Sequence, residues 1–232
     1  MFGRRTRARR TARGVAAGAM AAALTAGLLT GPATADASAV SLREEVRLRD
    51  AIAQLPVATE HRDGYKRTLF RHWVDEDGDG CNTRNEVLLD EASQTPQIGP
   101  GCRLSDGSWY SYYDNVVVDE AAQLDIDHMV PLAEAWDSGA YTWDSGRRQR
   151  YANDLGDPRA LAAVTARSNR QKADQDPTDW LPPYEPARCR YAEEWTAVKL
   201  RWRLSVDRAE KDILTELGHG CPDRTITIIP AP

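Results

Sequence analysis

Four cysteines, Cys81, Cys102, Cys189 and Cys221, set the first limit on how this chain can fold. An even number of thiols in an exported chain points to two disulfides. Of the three possible pairings, the sequential one (Cys81–Cys102 and Cys189–Cys221) closes two short loops and leaves the middle of the chain free, and it is the expected one. A zinc site built from all four thiolates is disfavoured, because the spacings are wide and no Cys-x-x-Cys pair occurs. Export is read from the start of the chain. Six arginines crowd the first thirteen residues, the apolar run "GVAAGAMAAALTAGLLTG" follows, and small residues then offer cleavage after Ala35 or Ala39. That three-part plan is a secretory signal peptide, expected over residues 1–35. The apolar run is short and alanine-heavy for a membrane span, so a secreted protein with no membrane attachment after cleavage is expected.

Just under two hundred residues then remain, enough for one sizeable core and not for two. Removing the six signal arginines from 30 basic and 35 acidic residues leaves 24 against 35, near −11. Such a surface repels polyanions on average, so any nucleic-acid site must be local and metal-bridged. Residues 36–64 are expected as an N-terminal helical segment, with "SLREEVRLRDAIAQL" (41–55) at helical spacing before Pro56. "EHRDGYKRTLFRHW" reads as a second helix, and "SWYSYYDNVVVDE" as strands around a turn at Asp114-Asn115. "RYAEEWTAVKLRWRL" and "DRAEKDILTELG" are amphipathic helices, the second ending at Gly218, and residues 223–232 are expected as a C-terminal tail. The fold class is α+β, a helix-rich single domain with a small β element in its middle.

The chemistry concentrates in the stretch "DIDHMVPLAEAW", Asp125 to Trp136. Leu124 and Ile126 alternate as on a half-buried strand, Asp127 and His128 follow, and Pro131 ends the run. A second strand candidate, "ALAAVT", leads into a helix beginning near Ser168 that carries Asn169, Arg170 and Lys172. A strand–strand–helix unit can bring a strand-borne histidine opposite a helix-borne amide. Asp127 and Asn169 offer oxygen ligands suited to Mg²⁺ or Mn²⁺. His128 points to the other face of a regular strand, where an imidazole titrating near neutrality can take a proton from water.

"DIDHMVPLAEAWDSGA", "YANDL" and "LAAVTARSNRQKADQDPTDWLPP" together resemble the HNH endonuclease family, in particular its secreted actinobacterial members. The resemblance covers residues 65–222. It implies an embedded ββα-metal (HNH) motif and metal-dependent hydrolysis of phosphodiesters to 5′-phosphate and 3′-hydroxyl ends. By that resemblance His128 is the general base, and Asp127 and Asn169 hold one divalent ion. The family's middle Asn, which orients the base, often lies about nine residues before the helix Asn, where this chain has Ala160; Asn153 is the nearest candidate. Arg170 and Lys172 are placed at the substrate phosphate, with Lys172 also in the catalytic set. The expectation is a secreted monomer acting on DNA with little sequence preference. Its competitors are a non-catalytic secreted binding protein on the same scaffold and an RNA-directed nuclease or toxin.

A second metal candidate lies in "DEDGDGCNTRNE". Asp75, Asp77, Asp79, Gly80 and Glu86 match the spacing of an EF-type calcium loop, which would bind Ca²⁺ structurally. Asn82 at the loop's eighth position, normally apolar, and Cys81 at the seventh speak for a disulfide-pinned acidic turn instead. Glu134 is read as either a supporting carboxylate or a solvated helix residue. Trp136, Trp143, Trp180, Trp195 and Trp202 are read as core. His61, His72 and His219 lack metal-ligand spacing and are expected at the surface or as caps.

Overall fold

The computed structural model describes residues 43–232, so the expected signal peptide lies outside the described residues. In chain order these form β1 (Glu44–Arg47), α1 (Leu48–Gln54), α2 (Thr83–Asp90), β2 (Ala92–Gln94), β3 (Gln97–Gly99), β4 (Arg103–Ser105), β5 (Ser108–Ser111), β6 (Val116–Val118) and β7 (Leu124–His128). There follow α3 (Leu132–Asp137), α4 (Ser145–Ala152), β8 (Leu161–Thr165), α5 (Ala166–Lys172), α6 (Arg188–Trp202), α7 (Arg208–Gly220) and β9 (Thr225–Ile228). The α+β class is as expected, and no described helix is long and apolar enough to cross a membrane.

β7 and β8 form an antiparallel ribbon in which Asp127 faces Ala162 and His128 faces Leu161. Every residue of β8 is buried, and its alanines leave room for neighbouring elements to close in. Thr165 turns the chain into α5 by accepting from the Ser168 N–H, a hydroxyl cap. A two-stranded ribbon buried on both faces leaves one row of backbone groups without a ladder partner, which is costly. Side chains satisfy it. Glu91, capping the end of α2, accepts from Ala163 N–H at 3.0 Å, and Ser111 of β5 accepts from Thr165 N–H at 3.0 Å. The three-stranded sheet β2-β5-β6 is thereby fixed to the ribbon's edge.

The remaining helices pack behind this unit. α6 buries Tyr191, Trp195 and Trp202, and α7 begins at Asp207, whose carboxylate accepts from Glu210 N–H. Trp136, Trp195 and Trp202 are buried, with Trp143 and Trp180 packed against the same core. Both disulfides, Cys81–Cys102 and Cys189–Cys221, pair sequentially.

Three local readings are corrected. Within the stretch read as helix 41–55, Glu44–Arg47 is a strand, and its antiparallel partner β9 lies inside the segment expected as a tail. Long-range pairing here overrides a helical spacing of apolar residues. The expected helix over "EHRDGYKRTLFRHW" is absent: Gly64 takes φ +82°, and only the 3₁₀ turn Arg67–Leu69 forms before Phe70 plunges into the core. Helix α5 begins at Ala166, ahead of Ser168.

Burial pushes the Glu91 carboxyl up to about 7, from an ordinary 4.5, and the bond from Ala163 only partly opposes it. Between those two values the folded chain holds a proton that the unfolded chain has released, so stability is full below the lower value and falls as pH rises through the upper one. Thermal melts should show the midpoint dropping across that window. Glu91→Gln keeps the acceptor for Ala163 N–H and should flatten the dependence; an unchanged slope would refute the assignment.

Candidate active site

Asp127, His128, Asn169, Arg170, Asp174 and Arg67 line a single cavity of about 320 Å³, between the end of β7, the exposed side of α5 and the turn at 67–69. The strand and helix residues expected at the site therefore meet. Their individual settings differ from the sequence expectation.

Asp127 is buried. Its Oδ2 accepts from Tyr113 Oη at 2.6 Å and from Lys172 Nζ at 2.6 Å, while Oδ1 accepts nothing from the described residues. Lys172 is wholly buried, and its Nζ also donates to the carbonyls of His128 (2.9 Å) and Met129 (3.0 Å). With three acceptors and no exposure it cannot reach a substrate phosphate, which corrects its expected place. It fixes Asp127 instead. Burial pushes the Asp127 carboxyl up and the Lys172 ammonium down, and their mutual attraction opposes both shifts.

The His128 ring lies between Trp73, stacked at 5.4 Å between centroids, and Tyr151 at 6.4 Å. Its Nε2 is 3.0 Å from the Ala152 carbonyl. A carbonyl only accepts, so Nε2 carries the hydrogen and Nδ1 is the basic nitrogen. Burial pushes the imidazole down to about 3, with the charges of Arg67, His72 and Lys172 adding to the effect and the Ala152 bond opposing it. The near-neutral titration expected of a free imidazole does not apply; the ring is neutral throughout the physiological range.

Asn169 donates through Nδ2 to Asp125 Oδ2 at 3.2 Å, which leaves its Oδ1 without a partner among the described residues. Asp125 lies two positions before Asp127 and so on the same face of β7. Arg170 lies 3.5 Å from the same carboxylate and is 76% exposed, a weak pair.

Asn153 does not touch His128. It is buried, and all four of its hydrogen-bonding positions are filled: Oδ1 accepts from Val74 N–H and Thr83 Oγ1, and Nδ2 donates to the carbonyls of Arg71 and Gln149. Its expected catalytic place is corrected to that of a clamp, holding residues 71–83 against the end of α4, where the neighbouring Ala152 carbonyl meets His128. Ala160 uses its carbonyl to accept from Met129 N–H. Glu134 lies away from the cavity, buried with Glu210 on Lys199 Nζ. His72, expected at the surface, lies edge-on to His128 at 6.5 Å. Tyr113, Trp73 and Arg67 were missed because no motif spacing ties them to the Asp-His pair. For Trp73 and Arg67 the one available signal was an aromatic and a basic residue close to His72 in sequence.

In the acidic loop, carboxylate oxygens of Asp75, Asp77 and Asp79 lie within 4.8 Å of one another, while the Cys81 sulfur beside Asp79 and Glu86 is held in the disulfide. Burial, then the charges of Asp79, Asp77 and Asp75, push the Glu86 carboxyl up. Asn82 accepts from Asn85 N–H and caps α2, which accounts for a polar residue at the eighth position.

A cavity bordered by an Asp-His strand and an Asn-bearing helix is thus the candidate site, built on a strand–strand–helix unit. The chain belongs to the family described as the C-terminal domain of GmrSD restriction endonucleases, whose pattern it matches over residues 82–217. It is also 43% identical over 160 residues to an "Uncharacterized secreted protein" of the fungus Arthroderma benhamiae, covering 69% of this chain and 77% of that protein. That relative is fungal, where the sequence resemblance pointed to actinobacterial proteins. No solved structure matches the chain.

Removing one partner of a buried ion pair strands the other charge. Lys172→Met should cost about 3–5 kcal/mol in urea unfolding. A loss under about 1 kcal/mol would show that the pair does not hold the site together.

Proposed function

We propose that this protein is a secreted, metal-dependent HNH endonuclease that hydrolyses DNA as a monomer with little sequence preference. One observation carries the reading: Asp127 Oδ1, Asn169 Oδ1 and His128 Nδ1, three acceptors with no described partner, belong to residues lining the same cavity. Two carbonyl-type oxygens from a rigid strand and helix suit Mg²⁺ or Mn²⁺. A divalent ion held there supplies positive charge against the negative charge developing on the phosphate oxygens and the leaving 3′-oxygen.

The chain's own groups do the rest. Tyr113 and Lys172 keep Asp127 oriented with one oxygen outward, and Asp125 keeps the Asn169 amide turned so that its oxygen faces away from the Asp125 bond. The Ala152 carbonyl holds the proton on Nε2, so Nδ1 accepts the proton from water as its oxygen attacks phosphorus and the bond to the 3′-oxygen breaks. The same bond leaves Nδ1 as the ring nitrogen without a hydrogen. Two disulfides support an extracellular setting, as does the relative's secreted character.

Purified mature protein with Mg²⁺ or Mn²⁺ should nick supercoiled plasmid, and exhaustive chelation should abolish the activity. His128→Ala should lower the rate by about 10²–10⁴-fold. Nicking by that variant at the wild-type rate, or nicking that survives chelation, would sink the reading.

We further propose that the loop 75–86 binds one structural Ca²⁺, supported by its convergent carboxylates. Calcium should raise the thermal midpoint of the wild type and not that of Asp75→Asn combined with Asp79→Asn. An equal response of both proteins would remove the site.

A further inference from the structure

We infer that Arg67 is the residue that grips the substrate phosphate, a place the sequence had given to Arg170 and Lys172. Three observations meet on it. First, Arg67 lines the active-site cavity together with Asp127, His128, Asn169 and Arg170. It lies outside the strand–strand–helix unit, so the cavity is closed from a third side by a cation. Second, its guanidinium forms no ion pair with the described residues, whereas Lys172 is held by Asp127 and Arg62 by Asp137, and Arg170 has only an exposed, weak pair with Asp125. A planar guanidinium with no carboxylate partner, beside a neutral imidazole, is suited to bidentate binding of a phosphate. Third, Arg67 is presented from a fixed base. Its 3₁₀ turn is anchored by Phe70, wholly buried against Trp136 and Tyr151, and Trp73 a turn further on stacks on His128.

Asp174 brings the reverse sign to the same cavity and also borders an adjoining one of about 430 Å³, where Glu60, Glu134, Asp176, Asp179 and Asp207 outnumber Arg62, itself paired with Asp137. The Glu60 carboxyl is pushed up to about 7 by burial and then by repulsion from Glu134, Asp137, Asp207 and Asp176. A phosphodiester backbone is repelled from that side and drawn to Arg67. The strand therefore enters over the 67–69 turn.

This inference rests on the nuclease reading for the identity of its ligand, a phosphodiester, and its test is a binding test. A short fluorescein-labelled DNA duplex and its single strand are titrated with the His128→Ala chain in Mg²⁺, from about 50 to 200 mM salt. Adding Arg67→Ala should weaken binding about tenfold and reduce the slope of log K against log salt by about 1. Arg67→Lys, which keeps the charge and the fold, should retain the slope and lose part of the affinity. Wild-type affinity and slope in Arg67→Ala, or no salt-dependent binding of either probe by the parent, would overturn the assignment. A protein that binds through Arg67 yet never nicks with His128 intact would overturn the nuclease reading alone.

Discussion

The buried bond between Lys172 and Asp127 is the constraint on which the rest of the site depends. Its ammonium gathers one carboxylate oxygen and two consecutive backbone carbonyls, those of His128 and Met129, at the point where β7 ends. One side chain thus ties the end of the strand to the last turn of α5, and sets how far apart Asp127 and Asn169 lie. Desolvating such a pair is expensive, and an apolar replacement of both partners could be as stable. What the pair adds is direction: the carboxylate cannot turn, so one oxygen always faces the cavity.

The same device recurs deeper in the core. Lys199 gathers Glu134 and Glu210 between α3, α6 and α7, and Arg201 binds Asp154 while Trp202 donates to the same carboxylate. Each cation sits where several elements converge, and each is satisfied by more than one acceptor. The His128 ring is treated differently. It has a single polar partner and two aromatic faces around it, so burial strips its charge and leaves one nitrogen unused.

Much of this was legible in the sequence. Strand alternation before Pro131, the buried run "LAAVT", the helix of "ARSNRQK", the disulfide pairing and the two C-terminal helices all follow from local patterns, and the first and third of these carry Asp127, His128 and Asn169. The misses share a cause: they depend on contacts distant in sequence. Glu44–Arg47 carries a helical spacing but finds its partner at the far end of the chain. A lysine on a short helix is normally solvated, so nothing in "SNRQK" reveals that Lys172 is enclosed. Asn153 was singled out by type, yet what it does is decided by Arg71, Val74 and Thr83, none of which a motif links to it.

The side-chain closure of β8 has a wider meaning for a protein outside the cell. An open strand border is a template on which other chains can add, and a two-stranded ribbon has little else to protect it. Here Glu91 and Ser111 take the hydrogen-bond donors that an incoming strand would need, and one of the two brings a carboxylate that an intruding backbone would have to displace. The ribbon that carries the Asp-His pair is thereby shielded from self-association at the border where it is narrowest.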